Sequence, residues 1–199
     1  IAQGNHDWEN QLIDGIWTYS LDAICNGLTD CYSNLLKDVK EKYDCTITTL
    51  ASLGFSGMMH GYMAFDQNGN LLVPFRTWRN TITAQASEEL TALFHYHVPQ
   101  RWSVAHLSQA MLKKEPHLSK ISSLFTLAGY INWQMTGEKV IGVGEASGMF
   151  PIDINTHDYN QKMVDLFDEK AALFGYSFHL RDLLPKTALA GDIAGYLTE

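Results

Sequence analysis

Three short runs in this sequence carry side chains whose types and spacing could do chemistry. The first is Leu53-Gly54-Phe55-Ser56-Gly57-Met58-Met59-His60-Gly61, where a thioether and an imidazole stand between glycines. An imidazole donates or accepts a hydrogen bond, and a methionine side chain forms an adaptable apolar wall. Gly57 and Gly61 permit backbone turns and close approach to a ligand. Hydroxyls on a carbon frame are the matching chemistry. Taken alone, the run is more readily read as a core methionine beside a turn histidine.

The second run is Thr77-Trp78-Arg79-Asn80. An indole stacks on the C–H face of a sugar ring and donates one N–H, while Arg79 and Asn80 can fork onto hydroxyls. Taken alone, the run is equally well read as a partly buried tryptophan beside a solvated arginine. The third run, Gly142-Val143-Gly144-Glu145-Ala146-Ser147-Gly148, offers Glu145 as an acceptor for a hydroxyl. It lacks the GxxxxGK[ST] spacing of a phosphate-cradling loop. A structural turn explains it in isolation. The eight histidines include the pair His95 and His97, but no HExxH or comparable metal spacing occurs, so no metal ligands are assigned.

Regular elements must hold these runs. Ile47, Thr49, Ala51, Leu53 and Phe55 alternate, which predicts a strand leading to Met59-His60 at its carboxyl end, where open α/β folds bind small ligands. Tyr62 to Phe65 and Leu71 to Val73 flank Asn68-Gly69 and read as a hairpin. Trp8 to Tyr19 reads as extended chain broken by Asp14-Gly15. Ser20 can cap a helix to about Lys40, with Leu21, Ile24, Cys25, Leu28, Cys31, Leu35 and Val39 on its buried face. Further helices are expected over 81–94, 103–114, 127–135 (stopped by Thr136-Gly137) and 160–174 (closed by Gly175). Alternating strands and helices make α/β the expected class.

Composition bounds the function. The 199 residues are 46% hydrophobic and 18% charged, with a formal net charge of -8. They suffice for a sizeable core. An acidic chain lacks the Lys and Arg excess that neutralises nucleic acid phosphates, so no nucleic acid partner is expected. No apolar run approaches the roughly 18–20 residues of a membrane span, so no membrane is expected either. Cys25, Cys31 and Cys45 form no CxxC pair, which suits plain thiols in a reducing cytoplasm. Without repeats or a Pro/Gly/Ser-rich linker, residues 1–199 read as one domain. The opening Ile1-Ala2-Gln3-Gly4 reads as the second arm of a hairpin, with a first strand expected upstream.

In order along the chain, these runs resemble the FGGY carbohydrate kinases. The Gly57-to-Gly61 loop, the Asp66 hairpin, Pro74 and Trp78-Arg79-Asn80 look closest to the xylulokinase-like branch. There a Met-His-Gly loop touches the ketose, whereas glycerol-kinase-like members carry an Arg-Glu pair. Tyr130 to Gly137 is similar to the family's helix ending in Met-Thr-Gly. Glu145-Ala146-Ser147-Gly148 stands where members have Asp-Ala-Ala-Gly. Gly191 to Thr198 is similar to a Gly-x-x-x-Gly-x-Leu-Thr strand. The chain departs from the pattern at His106 (Lys in the family signature), Gln109 (Trp) and Ala128-Gly129 (Lys-Asp), as in a divergent subgroup.

The resemblance implies most of an N-terminal, sugar-binding domain with a ribonuclease-H-like (actin-like ATPase) fold, a mixed sheet flanked by helices. It implies transfer of the γ-phosphoryl group of ATP, with Mg²⁺, to a sugar hydroxyl, xylulose and ribulose being the expected ketopentoses. Substrate-binding residues would be Met59, His60, Gly61, Trp78, Arg79, Asn80 and Glu145. ATP and Mg²⁺ would be bound by the complete protein, and a homodimer is compatible with the family. The family's phosphate loop is expected before Ile1 and its general-base Asp after Glu199, so the fragment by itself is expected to be inactive. Two alternatives remain open at this point: a non-catalytic sugar-binding or regulatory module on the same fold, and an actin-like ATPase with a protein client.

Overall fold

The hydroxyl of Ser20 accepts a hydrogen bond from the Ala23 N–H (3.1 Å), starting the longest helix of the chain. In the computed structural model, which describes Ile1 to Thr198, the first compact unit runs from Ile1 to Gly54. It holds β1 (Gln11–Ile13), β2 (Ile16–Thr18) and α1 (Leu21–Tyr43). β1 and β2 pair antiparallel through Leu12↔Trp17 and Ile13↔Ile16. Asp14 and Gly15, at φ 49° and 78°, supply the two left-handed residues that a two-residue hairpin turn of the right twist requires. α1 buries Ile24, Gly27 and Val39. Cys25, expected on that face, is exposed.

The second unit begins at Phe55. In order it contains β3 (Met63–Phe65), α2 (Ala84–Phe94), α3 (Ser103–Leu112), a 3₁₀ turn over Pro116–Ser119, β4 (Ser123–Phe125) and α4 (Leu127–Thr136). β5 (Val140–Gly142), α5 (Val143–Ala146), β6 (Ile152–Asp153), β7 (Asp158–Tyr159), α6 (Gln161–Leu173), α7 (Leu180–Leu183) and β8 (Lys186–Ala188) follow. Pairing of both senses occurs: β3–β4 and β6–β7 are antiparallel, β5–β8 is parallel. The strands stand as short pairs rather than as one continuous sheet. No Pro/Gly/Ser linker marks the division between the units, which is why the sequence alone reads as one domain.

The helices expected from periodicity are present. α4 ends where Gly137 takes φ 74° and its N–H reaches the Trp133 carbonyl. α6 is capped by the Asn160 side chain, which accepts from the Met163 N–H. The Asn68-Gly69 turn returns the chain so that Phe65 bridges Leu71 and Tyr62 bridges Arg76. Two expectations need correction. Residues 47–55 form no strand among the described residues. Their alternating side chains find no partner edge, and Leu50 and Leu53 stay 42% and 50% exposed. The stretch from Gly191 to Thr198 is likewise irregular. It is tied to the end of α4, where the Thr198 N–H donates to the Met135 carbonyl.

The core of the second unit joins two aromatic layers. Phe65 stacks on Tyr130 (centroids 5.3 Å apart) and Phe125 on Trp133 (5.0 Å). Beyond them, Leu90, Leu107, Met111, Phe150 and Phe167 pack in one cluster between α2, α3 and α6. A polar seam crosses this core. Tyr62 Oη lies 2.7 Å from His117 Nε2, and Arg76 pairs with Glu115. His106, wholly buried beside the Tyr62 ring, has no protein partner at either ring nitrogen. Burial, reinforced by the Arg76 charge, pulls its pKa down to about 3. The fold therefore holds it neutral, and stability is lost as pH falls below about 6.5 toward 3, because only the unfolded chain takes up the proton. His106→Leu is expected to flatten this acid limb in urea titrations between pH 7.5 and 4. A variant as acid-sensitive as the parent would contradict it. No helix among the described residues is long and apolar enough to cross a membrane.

Candidate functional site

A cleft of about 450 Å³ opens in the second unit, lined by Phe55, Ser56, Gly57, Met59, Gly142, Val143, Gly144, Glu145 and Ala190. Its walls are two of the runs singled out in the sequence. Met59 and Glu145 stand 86 residues apart in the chain (145 − 59) yet line the same space. Met59 and His60 do not sit at a strand's carboxyl end, as expected. They lie in irregular chain that leads into Tyr62 and β3.

His60 is held from one side. Its Nδ1 lies 3.2 Å from the Gly148 carbonyl oxygen. Burial lowers its pKa, opposed by that bond and aided by the nearby Arg101 charge, so the ring is neutral near pH 7. A carbonyl can only accept, which places the proton on Nδ1 and leaves Nε2 an acceptor. A hydroxyl of a ligand is a suitable donor to it. Gly148 makes this geometry possible. A Cβ there would stand 2.2 Å from the Met59 carbonyl oxygen and 2.8 Å from His60 Nδ1. Gly61, at φ 124°, is equally confined, since a Cβ would lie 2.8 Å from the Arg76 carbonyl.

Glu145 projects from the short α5. Burial raises its pKa, opposed by hydrogen bonds from the Thr126 hydroxyl and the Ala128 N–H. Thr126 Oγ1 donates to Glu145 Oε1 at 2.5 Å. Thr126 also stands at the N-cap of α4 without making a side-chain cap bond there, so its hydroxyl serves the carboxylate. Ala128 has a further local role, since a Cβ on Gly57 would come within 3.3 Å of the Ala128 Cβ. The absence of a side chain at Gly57 thus lets this part of the cleft lining lie close to the start of α4.

Trp78, Arg79 and Asn80 are outside the cleft lining. Trp78 is 48% exposed, with the Arg79 guanidinium over its ring at 5.2 Å. Asn80 is buried, and its amide nitrogen donates to the Thr77 carbonyl, which commits that donor to a local turn. The backbone still relates this run to the first. The isolated antiparallel bridge Tyr62↔Arg76 joins the chain just after His60 to the chain just before Trp78. Sequence reasoning missed Thr126, the Gly148 carbonyl, Ser56 and Ala190. Thr126 had a signal in its place before a helix, but a cap and a carboxylate partner look alike in sequence.

A model of the FGGY family of carbohydrate kinases, N-terminal domain, matches residues 3–199 and so spans both units. The chain belongs to the FGGY family of carbohydrate kinases. Among curated proteins, this FGGY chain is 22% identical over 160 residues to the xylulose kinase of Lactococcus lactis subsp. lactis (strain IL1403), covering 76% of the chain and 30% of that protein. It is 24% identical over 208 residues to the L-fuculokinase of Escherichia coli (strain K12), covering 99% of the chain and 39% of that protein. The crystal structure of a xyloylose kinase from Brucella ovis superposes with a TM-score of 0.74 at 16% identity, over 99% of this chain and 40% of the other. The FGGY chain therefore spans well under half the length of these relatives. The likeness to solved sugar kinases bears out the α/β, actin-like ATPase fold expected from its sequence.

Proposed function

We propose that this chain forms the sugar-binding part of an ATP-dependent carbohydrate kinase that transfers the γ-phosphoryl group to a hydroxyl of a ketopentose such as xylulose or ribulose. The observation that carries the reading is the meeting of Met59 and Glu145 in one cleft, with His60 fixed beside them by the Gly148 carbonyl. Met59 would pack on the carbon frame, Glu145 and His60 Nε2 would accept from hydroxyls, and Gly61 would let the chain pass close. Trp78 and Arg79, which follow the Arg76 that bridges Tyr62, would close the rim, while Asn80 would stabilise the turn that carries them.

Phosphoryl transfer depends chiefly on positioning and on neutralising charge, and these residues supply positioning. Mg²⁺ bound with ATP supplies charge neutralisation and commonly keeps several water ligands. Among the described residues no group of three or more His, Cys, Asp or Glu side chains could hold a metal ion. We assign the metal to nucleotide phosphates in the complete protein, and no residue here is assigned as catalytic base.

The test is a panel of ketoses, aldoses and polyols offered with ATP to the full-length protein. Ketopentose phosphorylation is expected. Glycerol as the sole substrate would overturn the ketose assignment, and sugar binding without ADP release would favour a non-catalytic module. In the same protein, His60→Ala is expected to raise KM for the sugar by roughly tenfold or less, the worth of a neutral hydrogen bond at about 0.5–1.5 kcal/mol. ATP affinity without sugar should hardly change. Identical sugar kinetics in mutant and parent would remove His60 from the site.

A further inference from the structure

The two walls of the cleft are tied to one place, the first turn of α3. Gly61 has both backbone groups engaged around it: its N–H donates at 3.2 Å to the carbonyl of Arg101, just ahead of the helix, and its carbonyl accepts from Ser103 Oγ at 2.6 Å. The next residue of the helix holds the other wall, because the Val104 N–H donates to the Met149 carbonyl at 3.1 Å. The bond between His60 and Gly148 closes the triangle. α3 is a firm anchor, with every residue from Ser103 to Met111 buried.

Ser103 is unusual in this setting. A serine at a helix start ordinarily caps its own helix, yet here Trp102 occupies the N-cap with no side-chain cap bond. The Ser103 hydroxyl, completely buried, points its proton instead at the loop that carries Met59 and His60. Losing it would leave the Gly61 carbonyl short of a donor in a dry environment, where an unmet acceptor is costly. The loop would then relax at Gly61, whose φ is 124°.

We infer that Ser103 is a positioning residue for substrate recognition, setting the Met59-His60-Gly61 loop against the Glu145–Gly148 wall through its bond to the Gly61 carbonyl. This rests on the sugar-kinase reading above. The control is Ser87, another buried serine, which donates to the Val98 carbonyl at 2.5 Å away from the cleft lining. Ser103→Ala, Ser103→Cys and Ser87→Ala are compared in the full-length protein by steady-state kinetics at saturating ATP and by amide hydrogen exchange.

Loss of one buried hydrogen bond predicts that Ser103→Ala raises sugar KM about threefold to tenfold with kcat within about twofold, and speeds exchange of the Gly61 amide by about tenfold. Ser103→Cys, nearly the same size but a weak donor, should fall between alanine and the parent. Ser87→Ala should lower stability without moving either readout. Equal KM changes at Ser87 and Ser103, or an unaltered Gly61 amide, overturn the inference. A wild-type protein that phosphorylates no sugar sinks the kinase reading and the substrate half of this one, and the Gly61 amide alone then decides whether the brace exists.

Discussion

Gly148→Ala is expected to lower kcat/KM for the sugar by about 100-fold in the full-length protein, the usual penalty when reacting groups shift by about 1 Å. The added methyl carbon would stand 2.2 Å from the Met59 carbonyl oxygen. That atom belongs to the backbone and has no rotamer to escape into. The same carbon would press on His60 Nδ1 from 2.8 Å, so the imidazole would leave the carbonyl that orients it. Either the 59–61 loop or the 145–148 turn must retreat, and both are cleft walls. Overpacking should also lower stability by about 1–3 kcal/mol. Kinetics at saturating ATP, with folding checked by circular dichroism, provide the measurement. A variant with parental kcat/KM would show that the spacing of the walls does not matter to the substrate. Gly54→Ala is a control, since a Cβ there would meet nothing within 4 Å and Gly54 is outside the cleft lining.

Phe65→Ala should produce the largest loss of stability, about 3–5 kcal/mol for a fully buried phenylalanine. Phe65 is completely buried and meets three aromatic neighbours: Tyr130 stacked at 5.3 Å, and Phe125 and Trp133 edge-on at 6.0 and 5.4 Å. Its backbone also matters, as its carbonyl accepts from the N–H of Ser122, the residue just before β4. The cavity would sit between β3, which continues from the Met59-His60 loop, and α4, whose leading Thr126 steadies Glu145. Urea unfolding followed by tryptophan fluorescence reads the effect directly, because Trp133 is part of the cluster. A loss below about 1 kcal/mol would mean that the aromatic layers collapse to fill the space. Sugar binding should weaken along with stability, in contrast to Ser87→Ala.

The helices were legible because their signals are local. Ser20 caps α1, Asn160 caps α6 and Gly137 ends α4 as their types suggest, since capping bonds span three or four residues. The hairpin turn at Asp14-Gly15 follows from backbone sterics alone. The resemblance carried by the Met59-His60-Gly61 loop and its companions likewise identified the family, because it depends on residue order and not on coordinates. The alternating run 47–55 misled for a physical reason. A strand is stabilised by a neighbour's hydrogen bonds, and alternation says which side chains would face the core only if such a neighbour is present.

What the tertiary structure decided concerns contacts between residues distant in the chain. Met59 and Glu145 line one cleft, whereas Trp78, equally eligible by side-chain chemistry, falls outside its lining. The partner of His60 is a backbone carbonyl, which every residue possesses and which no residue type announces. The need for glycine at 148 arises from an approach by a loop 88 residues away. Sequence thus determined which groups were available and which turns and helices would carry them. Only the packing of those elements determined which groups meet, because cavities and long-range hydrogen bonds are properties of the assembled chain.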